Sequence, residues 1–316
     1  MNAEREIVTT SGGGLGTANA FASHRSRSFE VDDWTLSMMR MFAALAAGIS
    51  VLIVSYLLIG SLPALQAIGL TQFLTDHDWH PTRGEFSLVP MLLGTLWVTV
   101  GSVLLASPFA VASAIFGRFF IRGVSARIFR RMLETLAGIP SVVFGLWGLT
   151  VLVPRVADLA PPGQSVLAGI LVLSMMILPT IALLADSALA AVPEAQLRAG
   201  AAAGLSRWSI VRGLALPAAR SGIGVGIVLG AGRALGETMA VVMVMGNVVQ
   251  IPSSLFDPAR TLTANIALEM AYASSEHRSA LFVSGLVLAL LTIFLVWMGD
   301  RLGQDASGER SLQDGV

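Results

Sequence analysis

The hydrophobic positions of this chain fall in long unbroken runs rather than in an alternating or heptad pattern. Roughly 20 consecutive apolar residues cross the hydrocarbon core of a bilayer, which is about 30 Å thick. Runs of that kind predict six spans, at 41–62, 88–116, 134–154, 165–187, 221–247 and 279–299. The second is long enough to tilt or to include an interfacial turn, and Pro108 can bend it. Pro140 and Pro179 fall inside the third and fourth spans, where neighbouring groups can satisfy the carbonyls that a proline frees. The fifth span is apolar except for Arg233 and Glu237. The expected fold is all-α and polytopic, with a transmembrane domain over 38–300.

The polar segments flank and link these runs. Residues 1–37 are rich in Gly, Ser, Thr and Arg and predict a flexible tail. No apolar core with a small-residue cleavage site opens it, so it does not read as a signal peptide. A helix can begin within 31–40, with Asp32 or Asp33 as N-cap and Trp34 at the interface. A second tail follows at 301–316. Arginines sort these segments into two sides. The N-terminal region to Arg40, the loop after span two, the loop between spans four and five and the C-terminal tail together carry fifteen. The opposite loops carry four: Arg83, Arg155, Arg260 and Arg278. By the positive-inside rule both termini and the four–five loop are expected in the cytoplasm of a plasma (inner) membrane protein.

Composition narrows the chemistry. Only 13% of residues are charged, against about a quarter in soluble domains, so the apolar excess reads as membrane rather than as a large soluble core. The chain has no cysteine, which excludes disulfides, thiolate nucleophiles and Cys-ligated metals. It also has no lysine, which excludes a Schiff base and a P-loop of its own. Any ATP used for transport must be hydrolysed on another chain. The histidines (His24, His77, His80, His277) lie outside the apolar runs and are expected to be solvated. No nearby cluster completes a metal site with His77 and His80, so neither a metal nor a cofactor is expected, and nothing predicts a nucleic-acid partner.

Three features carry candidate chemistry. The first is the loop 192–219. Its Ala-rich first half predicts a helix and Gly204-Leu205 a turn. A second short helix should start at Ser206 and stop at Leu216-Pro217, because proline disfavours helix at the residue before it. Two such helices can form a knob that docks in a groove on a soluble partner, or an amphipathic surface resting on lipid. The second is Arg233 and Glu237, four apart and expected on one face of one helix. A charge inside a span costs a few kcal/mol, so it faces a partner or a wet cavity. Arginine presents a planar fork of donors that matches phosphate oxygens, and Glu237 can hold that fork or accept from a protonated substrate oxygen. The alternative is an internal ion pair that fixes helix packing. The third is the spacing of Gly222, Gly226, Gly230, and of Gly232 and Gly236, which lets backbones approach, either within this chain or against another subunit. The loop segment 248–278, with a short helix in 261–273, and the loop holding Trp79, Arg83 and Glu85 are either solvated or docking loops.

The loop also carries a resemblance. Gly204, nine residues, Leu214, one residue and Leu216-Pro217 match the "EAA" loop of ABC-importer permeases, whose pattern is Glu-Ala-Ala, three residues, Gly, nine residues, Ile-x-Leu-Pro. In that register the Glu-Ala-Ala positions are Arg198, Ala199 and Gly200, so arginine replaces the family's glutamate. The nearby Glu194-Ala195-Gln196 stands four residues early. The departure bears on the salt bridge that this glutamate makes to the ATPase, not on the loop's shape. Residues 232–241 (Gly-Arg-Ala-Leu-Gly-Glu-Thr-Met-Ala-Val) resemble the fifth span of the PstC-type permeases of bacterial phosphate ABC importers, and so do 137–149 and 263–269. Gly94-Thr95-Leu96 and Pro108 fit the start of the family's transport domain.

The resemblance implies a type I permease fold and translocation of inorganic phosphate. It implies a PstA-like second permease subunit, two ATP-binding subunits on the cytoplasmic side and a soluble phosphate-binding protein outside. It implies a transport role for Arg233 and Glu237, and an ATPase-coupling role for the loop positions Arg198 to Gly200, Gly204, Leu214, Leu216 and Pro217. Permeases for sulfate, molybdate or phosphonate share the loop. An ATP-independent transporter would instead show inverted repeats or a row of intramembrane ionisable groups. A membrane enzyme would need a nucleophile or metal cluster.

Overall fold

The computed structural model describes residues 33–75 and 78–313. The expected tail over 1–37 therefore lies outside the described residues as far as residue 32, and His24 and His77 lie outside them too. The chain divides into two units, Met1–Ile53 and Val54–Val316. The first contains the opening part of helix α1 (Asp33–Ala67), whose exposed side chains include Trp34, Phe42, Leu45, Ile49 and Leu52. A helix apolar on all sides needs lipid or protein around it.

The second unit takes the rest of α1 and then α2 (Leu70–Thr75). A hairpin of β1 (Trp79–His80) and β2 (Glu85–Phe86) follows, antiparallel, with Trp79 opposite Phe86. Next come α3 (Val89–Ile115), α4 (Gly123–Gly138), α5 (Ser141–Trp147), α6 (Val153–Ala157) and α7 (Val166–Ala190). The loop helices are α8 (Glu194–Ala202) and α9 (Arg207–Ile210). The chain ends with α10 (Leu216–Leu235), α11 (Met239–Val244), α12 (Leu262–Glu269) and α13 (Ser275–Gln313). π-Helical turns at Phe116–Phe120, Gly148–Leu152 and Val211–Ala215 interrupt the longer runs.

Helix α7 is the centre of this unit. Ser165 caps its start by accepting from the Ala168 N–H at 3.3 Å. Leu173, Met176, Ile177 and Ile181 are fully buried between α3, α10 and α4. Gly222, Gly226 and Gly230 are where α10 meets it. A Cβ on each would lie 2.6 Å from Ala188 Cβ, 2.9 Å from Leu184 Cβ and 2.6 Å from Ile181 Cγ1, respectively. That glycine stripe is thus occupied by this chain's own α7. Gly232 has open space beside it, and Gly236 meets only the Gly232 carbonyl.

Five stretches among the described residues are long and apolar enough to cross a membrane: Trp34–Ala67, Val89–Phe120, Val166–Ala190, Arg207–Leu235 and Ser275–Arg301. The expected third span is not one helix. Gly123–Gly138 and Ser141–Ala157 meet at 88°, and the number of crossings becomes six if this bent pair counts as one. Pro140 explains the break. It lacks an N–H and forces the preceding Ile139 into an extended conformation (ψ 130°). Pro108 and Pro179, by contrast, lie within unbroken α3 and α7. Around Pro179 the buried Met176, Ile177 and Ile181 hold the helix together, whereas Pro140 is exposed and stands two residues after Gly138.

Two further expectations are corrected. The expected fifth span over 221–247 breaks after Leu235, with Gly236 as C-cap and α11 as a separate short helix. The second loop helix does not stop at Leu216-Pro217. Leu216 N–H bonds back to the Val211 carbonyl, an i→i−5 turn that places Pro217 in the first turn of α10, where no N–H is needed. The expected sixth span, 279–299, lies within the apolar stretch Ser275–Arg301, and its helix α13 runs on to Gln313.

Candidate substrate-pathway site

Arg233 and Glu237 do not share a helix. Arg233 lies in the last turn of α10, half-buried, and its Nη1 donates to the Thr180 hydroxyl on α7 at 3.0 Å. Glu237 lies beyond the break, and its Oε1 accepts from the Ala240 N–H at 3.1 Å. The carboxylate therefore serves one of the orphan donors that open α11. No ion pair joins Arg233 to Glu237 among the described residues. The expected i,i+4 face is lost because Gly236 ends the helix between them.

The break is held from several sides. The Glu237 N–H bonds to the Ala234 carbonyl at 3.2 Å. The Thr263 hydroxyl, near the start of α12, donates to the Glu237 carbonyl at 2.8 Å. Gly145 of α5 lets α11 approach until a Cβ there would lie 2.8 Å from Ala240 Cα. Gly148 does the same against Val172 and Val244. The segments 137–149, 232–241 and 263–269, far apart in sequence, thus meet at one bend.

Electrostatically the consequence is simple. The Arg233 guanidinium sits in an apolar span with a neutral hydroxyl as its partner. Gly236, Leu229 and Met239 near it are exposed. An uncompensated charge inside a span costs a few kcal/mol unless it faces water, an anion or another subunit.

The loop 192–219 has well-defined geometry. Helix α8 ends in a Schellman motif: Leu205 N–H bonds to the Gly200 carbonyl and Gly204 N–H to the Ala201 carbonyl, both at 3.1 Å. Gly204 supplies the left-handed conformation this requires, at φ +77°. Ser206 caps α9 by accepting from the Ser209 N–H at 3.2 Å. Gly200 is buried beneath Leu214, whose Cδ1 would lie 2.7 Å from a Cβ there. Leu216 is half-buried, while Ala199 and Pro217 are exposed. Arg198 pairs with Glu194 one turn earlier, at 2.8 Å, both largely exposed. Beside the loop, a cavity of about 560 Å³ is lined by Arg118, Arg122, Arg127 and Arg130 together with Asp186 and Glu194. Arg130 reaches both Asp186 and Glu134 at 3.0 Å.

One polar cluster escaped the sequence reading. Glu269, on α12, accepts from Trp79 Nε1 at 2.8 Å, from Arg260 Nη1 at 2.5 Å, and lies 2.8 Å from His277 Nε2. Arg260 also donates to the Asn265 side chain (3.0 Å) and the Asn247 carbonyl (2.9 Å). His277 is buried, not solvated as expected, because it closes this network; His80 is exposed, 3.7 Å from Glu85. Asn265 and Glu269, four apart within 263–269, were the available signal. Trp79 is 190 residues away from Glu269 and gave none.

Comparison with known proteins places the chain. Residues 106–307 match the family model described as "Binding-protein-dependent transport system inner membrane component". The "Probable ABC transporter permease protein YqgH" of Bacillus subtilis is 39% identical over 71% of this chain and 75% of that protein. The "Phosphate transport system permease protein PstC" of Mesorhizobium japonicum is 33% identical over 75% of this chain and 79% of that one. A chain of the bacterial alginate ABC transporter, solved in complex with alginate pentasaccharide-bound periplasmic protein, shares the fold. It has a TM-score of 0.61 at 14% identity, over 86% of this chain and 95% of that one. The chain belongs to the binding-protein-dependent transport system inner membrane component family, among the permease proteins of ABC transporters.

Proposed function

We propose that this chain is the PstC-type permease subunit of an ABC importer that carries inorganic phosphate across the plasma (inner) membrane, with Arg233 and Glu237 on the substrate pathway. The observation that carries the reading is the Arg233 guanidinium, held in an apolar span by a neutral hydroxyl. Its charge is free to meet an anion, and its fork matches tetrahedral oxyanions. The fork alone does not choose among such anions. Phosphate is chosen because relatives over most of the chain are phosphate transport permeases by name.

In this reading both termini and the loop 192–219 are cytoplasmic. A PstA-like permease completes the pathway, two ATP-binding subunits dock on the loop, and a soluble phosphate-binding protein delivers substrate from outside. The chain itself has no lysine for a P-loop, so ATP is hydrolysed on the partners. Closure of the ATP-binding subunits moves the α8–α9 knob, and the π-turn at Val211–Ala215 passes that motion into α10, which ends at Arg233. A ligand shifts such an equilibrium only if the two states bind it differently. Arg233 pointing into the pathway in one state and turned toward Glu237 in the other supplies that difference.

Phosphate uptake by assembled Arg233→Gln and Glu237→Gln transporters tests the reading. Loss of uptake in Arg233→Gln is expected, and full uptake in both variants removes these residues from the pathway.

A further inference from the structure

Helix α7 carries three hydroxyls, and two of them are spent on their own helix. Ser174 Oγ donates to the Leu171 carbonyl at 2.8 Å and Ser187 Oγ to the Leu183 carbonyl at 2.9 Å. Thr180 behaves differently. Its Oγ1 accepts from Arg233 Nη1 at 3.0 Å and, among the described residues, donates to nothing. A hydroxyl has one donor and two acceptor sites, so its O–H proton stands available beside the guanidinium. Thr180 is half-buried.

We infer that the Thr180 hydroxyl is a second ligand of the transported oxyanion, donating its O–H to the anion that Arg233 holds. The inference rests on the reading that Arg233 faces the pathway. The chemistry explains why threonine suits this position. A carboxylate partner would neutralise Arg233 and would have to be displaced before an anion could bind. A hydroxyl orients one arm of the fork, leaves the charge intact, and adds a donor aimed at the same place. Thr180 then recognises any phosphate-like tetrahedral oxyanion with a lone pair to offer. It cannot by itself distinguish phosphate from sulfate.

The test uses the complete transporter in proteoliposomes, with radiolabelled inorganic phosphate uptake and ATP hydrolysis measured in the same vesicles. Thr180→Val keeps the shape and removes the hydroxyl; Thr180→Ser keeps the hydroxyl. Loss of a hydrogen bond to a charged group predicts a fall of about tenfold in phosphate moved per ATP hydrolysed in Thr180→Val, with most of the ratio recovered in Thr180→Ser. If Thr180→Val does not assemble, Thr180→Ala supplies the same comparison. A wild-type ratio in Thr180→Val, or a ratio in Thr180→Ser as low as in Thr180→Val, overturns the inference. So does an equal loss in Ser187→Ala, which would show that any missing hydroxyl on α7 has this effect. Arg233→Gln, measured alongside, separates the two layers. Full uptake there overturns the pathway reading itself, whereas lost uptake there with a normal Thr180→Val overturns only the role of Thr180.

Discussion

The carboxylate of Glu237 accepts a hydrogen bond from the backbone N–H of Ala240, at 3.1 Å, rather than pairing with Arg233. It serves an orphan donor at the start of a short helix, whatever its part in the proposed pathway. Capping interactions of this kind contribute about 0.5–2 kcal/mol. Glu237→Ala should therefore lower the thermal midpoint of the purified protein in detergent, while Glu237→Gln, which keeps an oxygen acceptor, should lower it much less. Equal midpoints in the two variants would mean that the cap contributes nothing.

Gly222 and Gly232 undergo the same chemical change to alanine with opposite expected results. A Cβ at Gly222 would lie 2.6 Å from Ala188 Cβ, an atom that cannot rotate away, so α10 and α7 must separate. Overpacking of that kind costs about 1–3 kcal/mol. At Gly232 nothing lies within 4 Å, and alanine gains helix propensity of up to about 1 kcal/mol. Thermal unfolding of the isolated subunit should move down for Gly222→Ala and stay level or rise for Gly232→Ala.

Gly200 should accept alanine and reject valine. The atom in its way is Leu214 Cδ1, the far end of a flexible side chain, and a methyl can displace it. A β-branched side chain meets Ile210 and Leu205 as well, at 3.4 and 3.6 Å from the Cβ position. Proteolysis of the loop should be unchanged in Gly200→Ala and faster in Gly200→Val.

Removing the Glu269 carboxylate leaves Arg260 without its ionic partner while only 17% of its side chain is exposed. Breaking a buried pair by deleting one partner costs about 3–5 kcal/mol. Glu269→Ala should thus loosen the Trp79 hairpin and the segment before α12, read as faster trypsin cleavage at Arg83 and Arg260. Cleavage at the wild-type rate would show that the network is not what joins these loops.

Asp257 accepts from the Ser253 hydroxyl and from the Ser253 and Ser254 N–H groups, at 2.8, 2.9 and 2.9 Å. The Ser253 hydroxyl first, then the two backbone donors, hold its carboxyl below the ordinary value of 3.8. The folded value is depressed, so this turn has its full stabilisation above 3.8 and loses it as pH falls through the lower folded value. Hydrogen exchange in 252–258 should be insensitive to this carboxyl between pH 5 and 7, about one unit or more above its range, and Asp257→Asn should remove the acid-dependent opening.

The sequence by itself determined the solvent and the class of this chain. Long apolar runs admit only a membrane, and the motifs around Gly204, Arg233 and 263–269 point to the permease family that the comparisons then showed. Helix starts with a local cap, such as Ser206, were legible, because a cap depends only on residues three apart. What the tertiary structure decided were the partners. Whether Pro140 or Pro179 breaks its helix depends on the side chains packed around it as well as on the proline. Arg233 and Glu237 fit one helical face by spacing, yet Thr180, Ala240 and Thr263 compete for their atoms across the bend at Gly236. Periodicity records which residues leave water; it does not record which of them meet.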